Sequence, residues 1–130
     1  MRNDDRIDEG RVGVLHASAG EGHIYSAPGG AGVYRKATGP DGTARLVASG
    51  EFDMDSSPCL QHALTDARAD GATSIKLDVA AVAFGDSTFL HVLLRAHHEL
   101  QQVVLIGPVP LHLRQLFNIT GTAALYPNIT

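Results

Sequence analysis

The sequence predicts an α/β fold: a mixed, mostly parallel β-sheet of about four to five strands with α-helices packed on it. Two observations lead to this prediction. From Gly32 onward, apolar segments of strand character alternate with segments of helical periodicity. Each helical segment also has a start signal of its own, made of Ser-Pro, Asp-Ser or Pro. Such alternation is typical of sheets whose central strands run parallel.

The regular part of the chain is predicted to begin with a β-hairpin. Residues 32–37, GVYRKA, alternate in polarity and predict the first strand. GPDG at residues 39–42 predicts a turn, and ARLVASGEF at residues 44–52 predicts the second strand. We therefore expect these two strands to pair.

A first helix is predicted over residues 58–70. Ser57 is the expected N-cap, and Pro58 suits the first helical position, where a missing N–H costs nothing. Gly71 is expected to end the helix. Five small or apolar residues share one face and are expected to be buried: Cys59, Leu60, Ala63, Leu64 and Ala67.

The remaining elements complete a β-β-α-β-α-β-α-β order. SIKLDVAAVAF, residues 74–84, lacks strict alternation and predicts a central strand covered on both faces. Asp86-Ser87 is expected to cap a helix that runs to residue 101, before the buried strand VVLIGPV at 103–109. Pro110 opens a short helix that Thr120-Gly121 closes, and residues 124–130 are expected to form a last short strand.

Residues 1–30 differ in composition from the rest of the chain. They are rich in small residues, Gly and Pro, and show little periodicity. We expect a flexible or loosely docked N-terminal extension there, followed by the domain over residues 31–130. Two alternatives remain: the extension is a partner-binding arm, or its apolar residues 12–15 add an edge strand.

Composition narrows the classes of function. Ten Lys and Arg residues are scattered against 14 Asp and Glu, for a net charge of −4, so no direct nucleic-acid binding is expected. No apolar run approaches the ~20 residues of a membrane span, and the N-terminus lacks a secretory core. A single cysteine suits a reducing compartment. We expect a cytoplasmic protein that does not bind membranes.

Three blocks of sequence resemble a known family. They are Gly50-Glu51-Phe52-Asp53, then Leu77-Asp78 followed by Phe84-Gly85-Asp86-Ser87-Thr88, and the stretch from Val103 to Gly121 ending Leu116-Phe117-Asn118-Ile119-Thr120-Gly121. In this order and spacing, over about residues 33–127, the chain resembles a STAS domain of the bacterial anti-sigma-factor antagonists. The resemblance implies a STAS-like fold.

The resemblance also implies a function in signal transduction. By position, Ser87 matches the serine that is phosphorylated in members of the family, and Thr88 is the second candidate for the phosphorylated residue. The implied partners are an anti-sigma factor serine/threonine kinase, a GHKL-type ATPase, and a serine phosphatase. The unphosphorylated form binds the kinase and the phosphorylated form releases it, so sigma-factor-dependent transcription, such as a stress response, is controlled. One departure is Phe89, where the family usually has Gly.

The physical chemistry of a helix start is compatible with that role. A helix N-terminus offers unpaired N–H groups and about half a positive charge, so a phosphate on Ser87 is tolerated by its own helix. The structural alternative is that Ser87 merely caps the helix. In the functional interpretation Asp86 orients the Ser87 hydroxyl. Six residues are the expected partner-binding set: Asp53, Asp86, Ser87, Thr88, Phe89 and His91.

Other classes of site are disfavoured. The seven histidines show no zinc-binding spacing, so neither a metal nor a cofactor is expected. His91 follows Ser87 by one helical turn, but no nucleophile-elbow motif surrounds the serine, so we do not expect an enzyme. The second interpretation is a non-switching STAS scaffold, or a small-molecule or nucleotide sensor, in a signalling complex.

Overall fold

The computed structural model of the protein describes residues 14–20 and 22–121. Within them, one sheet of six strands carries three α-helices. The strands are β1 (Leu15–Ala19), β2 (Gly22–Ser26), β3 (Gly32–Lys36), β4 (Thr43–Phe52), β5 (Ser74–Gly85) and β6 (Gln102–Ile106). The helices are α1 (Ser57–Ala69), α2 (Ser87–Glu99) and α3 (Leu111–Ile119), and a 3-10 turn spans Pro28–Gly30.

The sheet is mixed, with its strands in chain order from β1 to β6. Strands β1 to β4 pair antiparallel, whereas β4, β5 and β6 pair parallel. The predicted hairpin is therefore the β3–β4 pair, closed where the Gly42 N–H donates to the Gly39 carbonyl at 3.0 Å. The α/β prediction is confirmed, and the sheet has more strands than the four to five expected.

The additional strands lie in the segment assigned to the N-terminal extension. β1 and β2 form a hairpin, and β2 pairs with β3 from Gly22 opposite Lys36 to Ser26 opposite Gly32. Residues 15–19 and 22–26 are thus part of the sheet, with Tyr25 fully buried. The sequence did not predict this hairpin, because its small residues and Gly favour strands only weakly. Cross-strand pairing stabilises it in the folded protein.

The described helices cover one face of the sheet. Ile75, Leu77 and Val79 of β5 are buried, whereas Lys76 and Ala80 between and beyond them are exposed. The same alternation runs along β4. The prediction that β5 is covered on both faces is therefore wrong for the described part of the chain: its many apolar residues include small alanines that tolerate exposure.

The helices follow their predicted boundaries closely. All five residues predicted on the inner face of α1 are buried. The α1 N-cap is Ser56 rather than Ser57, one residue earlier than expected, and Gly71 after the helix has φ +96°. Pro110 precedes α3, and Thr120 caps its end. The strand predicted at residues 124–130 lies outside the described residues.

Candidate functional site

The ends of two neighbouring parallel strands set the position of the candidate site. Phe52, the last residue of β4, pairs with Gly85, the last residue of β5. The Asp86 N–H donates to the Phe52 carbonyl at 3.1 Å and extends this pairing by one bond. Asp53 and Asp86, which follow the two strands directly, therefore lie at one edge of the sheet, where α1 and α2 begin.

Asp86 is the N-cap of α2. Its Oδ1 accepts the backbone N–H of Thr88 at 2.8 Å and that of Phe89 at 3.3 Å. The same oxygen accepts the Thr88 hydroxyl in a short hydrogen bond. One carboxylate thus satisfies two of the four N–H groups that a helix start leaves without partners. The predicted cap is confirmed for Asp86, whereas its hydroxyl partner is Thr88 rather than Ser87.

Ser87 and Thr88 differ in how accessible their hydroxyls are. Ser87 is the first residue of α2, is exposed, and forms no side-chain hydrogen bond within the described part of the chain. Thr88 is half-buried, and its Oγ1 also lies 3.2 Å from the Ser57 hydroxyl of α1. Ser87 is therefore not the cap that the structural alternative required, and its hydroxyl is available to another molecule.

Asp53 organises the loop that leads into α1. Its Oδ1 accepts the N–H groups of Asp55 at 2.9 Å and Ser56 at 3.1 Å, and the Ser56 hydroxyl at 3.0 Å. These hydrogen bonds, that of Ser56 first among them, hold the pKa of the exposed Asp53 carboxyl below its ordinary value. Asp53 is therefore a fixed negative charge at the same edge as Ser87.

Phe89 points away from this edge. It is fully buried, and its ring centroid lies 5.3 Å from that of Phe52. A Cβ added at Gly85 would lie 2.7 Å from the Phe89 ring, so the glycine makes room for it. The bulky residue that replaces the family glycine thus fills the core and leaves the helix start open, and Phe89 does not join the exposed surface predicted for a partner.

A groove between α1 and α2 adjoins Ser87. It has a volume of about 540 Å³. The α2 wall presents Ser87, His91 and Arg95 at intervals of four residues. The other lining residues are Met54, Ser57, Pro58, Gln61, Thr88 and Val92. His91, predicted in the partner-binding set, is exposed in this groove.

Several groove residues escaped the sequence analysis. Met54 is 72% exposed, which is unusual for a large apolar residue. Arg95 lies 3.9 Å from Glu99, its neighbour at the next turn, and is about half-exposed. The four-residue spacing from Ser87 to Arg95 was a visible signal, whereas the α1 wall depends on the packing of two helices that no local pattern reports.

The comparisons identify the family. Residues 37–127 match the family described as "Mlab, STAS domain". The chain belongs to the STAS-domain family. No curated protein sequence matches it.

Solved structures with the same fold include anti-sigma factor antagonists. An antagonist from Mycobacterium paratuberculosis is 28% identical, with a TM-score of 0.58 over 78% of this chain and 87% of that one. The antagonist SpoIIAA in its unphosphorylated form is 22% identical, with a TM-score of 0.50 over 60% and 74%. The Bacillus cell fate determinant SpoIIAA in its phosphorylated form is 21% identical, with a TM-score of 0.52 over 65% and 80%.

These neighbours agree with the predicted STAS-like fold and with a relationship to anti-sigma factor antagonists. The two SpoIIAA structures, at their low identity, support the fold alone. As for membranes, no helix among the described residues combines the length and the apolar character that a span requires.

Proposed function

We propose that this protein is an anti-sigma-factor antagonist whose binding state is set by phosphorylation of Ser87. With Ser87 unmodified, it binds an anti-sigma factor serine kinase and so frees a sigma factor for transcription. With Ser87 phosphorylated by that kinase, it is released, and a serine phosphatase restores the binding form. The partner surface comprises Asp53, Asp86, Ser87, Thr88 and His91.

The observation that carries the proposal is that the Ser87 hydroxyl forms no hydrogen bond with the described residues. Asp86 already caps α2, and Thr88 is held by Asp86 and Ser57. Ser87 is left exposed at the helix start, where a kinase can reach it. Because Thr88 would have to break two hydrogen bonds first, Ser87 is the better acceptor of the two.

The physical effect of phosphate at this position falls on the surface. The helix N-terminus tolerates the group, since its N–H groups and dipole favour an anion. The phosphate adds about −1.5 to −2 charges beside Asp86, at the same end of the strands as Asp53. The domain therefore stays folded in both states, while a partner docked on this edge meets a bulky and strongly negative group.

The test compares three baits in a lysate of the native host: Ser87→Ala, Ser87→Asp and the control Ser18→Asp. Ser18 is an exposed residue on β1, at one end of the strand order, whereas α2 connects β5 and β6 at the other end. We expect Ser87→Ala and Ser18→Asp to capture a GHKL-type ATPase, identified by mass spectrometry, and Ser87→Asp to capture at least tenfold less. Equal capture by the two Ser87 variants would contradict the proposal.

The groove beside Ser87 favours one second candidate. Its volume of about 540 Å³ lies within the range of roughly 300–1,000 Å³ typical of small-molecule sites. A non-switching scaffold or a sensor of a small molecule or nucleotide would use this groove. A rise in melting temperature with ATP, ADP or GTP that Arg95→Ala abolishes, in a chain that takes up no phosphate at Ser87, would favour the sensor.

A further inference from the structure

Two elements far apart in sequence bring two histidines and an aspartate together. His16 lies on β1, and His62 and Asp66 lie one turn apart on α1. One potential metal-binding atom from each of the three lies within 4.8 Å of the other two. This cluster is separate from the Ser87 groove, which the neighbouring residues Pro58 and Gln61 of α1 line instead.

The fold produces this cluster through strand register and helix periodicity. His16 pairs with Tyr25 across the β1–β2 hairpin, and their rings stack with centroids 4.5 Å apart and an angle of 1° between the planes. The Tyr25 ring in turn meets His62 at 5.0 Å. On α1 the four-residue spacing puts His62 and Asp66 on one face. The hairpin therefore holds the His16 ring over that face, 5.6 Å from the His62 ring.

The distances suit a small transition-metal ion. In a tetrahedral zinc site with bonds of about 2.0–2.2 Å, neighbouring ligand atoms are roughly 3.3–3.6 Å apart. The His62 Nε2 and Asp66 Oδ2 atoms are already 3.3 Å apart. Bringing the His16 ligand atom to the same separation needs a shift of no more than about 1.5 Å from the 4.8 Å limit of the cluster.

Outer hydrogen bonds orient two of the three side chains. The Tyr25 hydroxyl donates to Asp66 Oδ2 at 2.9 Å, and Arg35 Nε donates to the Tyr25 hydroxyl at 3.0 Å. His16 Nε2 and His23 Nδ1 share a hydrogen bond of 2.9 Å, which orients the His16 ring. Partners of this kind are typical of metal ligands.

We propose that His16, His62 and Asp66 bind one zinc ion. Two imidazole nitrogens and one carboxylate oxygen suit zinc, whereas calcium and magnesium prefer oxygen ligands throughout. The described residues supply three of the four ligands that zinc usually takes. The absence of local zinc spacing in the sequence is explained, because the third ligand comes from a strand 46 residues before His62.

Zinc at this site would connect the edge hairpin to α1. β1 is the outermost strand, and within the described residues it pairs only with β2. A metal bond from His16 to His62 and Asp66 adds a link from this strand to a core helix. Metal binding therefore stabilises the docked hairpin, because the ligands come together only when the hairpin is in place.

The test titrates zinc chloride into the untagged, chelator-treated full chain by isothermal calorimetry. We expect one ion per chain, and at least tenfold weaker binding in His16→Ala and Asp66→Asn. The control is His98→Ala, an exposed histidine on α2, which should bind as wild type. His16→Ala is the deciding variant, because His16 is exposed and its replacement leaves the core intact.

Hydrogen exchange gives a second readout. Zinc should slow amide exchange in β1 and β2 of the wild type and leave the rates in His16→Ala unchanged. Absence of zinc binding by the wild type would overturn the proposal, as would equal affinity in His16→Ala and His98→Ala. In either case the four rings and Asp66 form only a packed aromatic cluster. The Ser87 proposal is unaffected by either result, since no residue is shared.

Discussion

At the scale of single residues, Asp86 and Ser87 differ in what they contribute to the start of α2. The Asp86 side chain accepts the N–H groups of Thr88 and Phe89 at the start of the helix, so Ser87 is not needed as the cap. A residue that is modified and restored repeatedly is best placed where neither state disturbs the fold. The sequence analysis predicted both as site residues, but it gave Ser87 the hydrogen bond to Asp86 that Thr88 forms, and Thr88 also contacts the Ser57 hydroxyl.

Removing the cap should cost stability. We expect Asp86→Ala to lower the free energy of unfolding by about 1 kcal/mol, because two N–H groups and the Thr88 hydroxyl lose their acceptor. Ser87→Ala is the matched control and should change stability by less than about 0.5 kcal/mol. Urea unfolding followed by circular dichroism measures both. A cost for Ser87→Ala equal to that of Asp86→Ala would show that Ser87 has a structural role.

At the scale of elements, the junction between β5 and α2 depends on Gly85. A Cβ at this position would lie 2.7 Å from Phe89 and 3.0 Å from Leu113 of α3. Gly85 therefore lets Phe89 of α2 and Leu113 of α3 pack closely against the end of the strand.

Gly85→Ala should accordingly be destabilising. We expect a loss of about 1–3 kcal/mol, typical of an extra carbon forced into a packed core. Gly32→Ala is the matched control, since a Cβ there would meet its nearest neighbour at 3.4 Å, an ordinary contact, and its backbone does not need a positive φ. Thermal and urea unfolding of both variants test this. Equal stabilities would contradict the packing account.

The elements themselves were largely predictable from residue 32 onward. Strong local signals, such as Ser-Pro before α1, Asp-Ser before α2 and Pro110 before α3, located all three described helices. The hairpin of β1 and β2 was not predicted, because its residues favour no structure strongly and its stability comes from pairing with β3 and burying Tyr25. The groove depends on the packing of α1 against α2, and the His16 cluster depends on the position of the hairpin, so the sequence alone did not reveal either of them.

At the scale of the whole molecule, the titration of a buried thiol and a buried phenol should make stability fall at alkaline pH. Burial raises the pKa of the Cys59 thiol from its ordinary value near 9 to about 12, and that of Tyr25 from 10 to about 12. The unfolded chain therefore releases these protons at lower pH than the folded chain. The stability that these two groups contribute is fully present below about pH 8 and is lost as the pH rises through the range between their unfolded and folded pKa values.

Between pH 8 and pH 10 the free energy of unfolding should fall by roughly 1–2 kcal/mol, most of it from Cys59. Urea unfolding at the two pH values measures the loss. Cys59→Ala is less stable at pH 8, because it leaves a cavity, but it should lose much less between the two pH values. If the free energy of unfolding of Cys59→Ala fell as much between the two pH values as that of the wild type, the assignment to Cys59 would be contradicted.

The central claim for the whole molecule is that it switches at Ser87. The most direct measurement is mass spectrometry of the full chain after incubation with ATP in a lysate of its host, for the wild type, Ser87→Ala and Thr88→Val. The account predicts a single adduct of about 80 Da, located on Ser87 by fragmentation, present in the wild type and Thr88→Val and absent from Ser87→Ala. A wild-type chain that takes up no phosphate, or one still modified in Ser87→Ala, would contradict it.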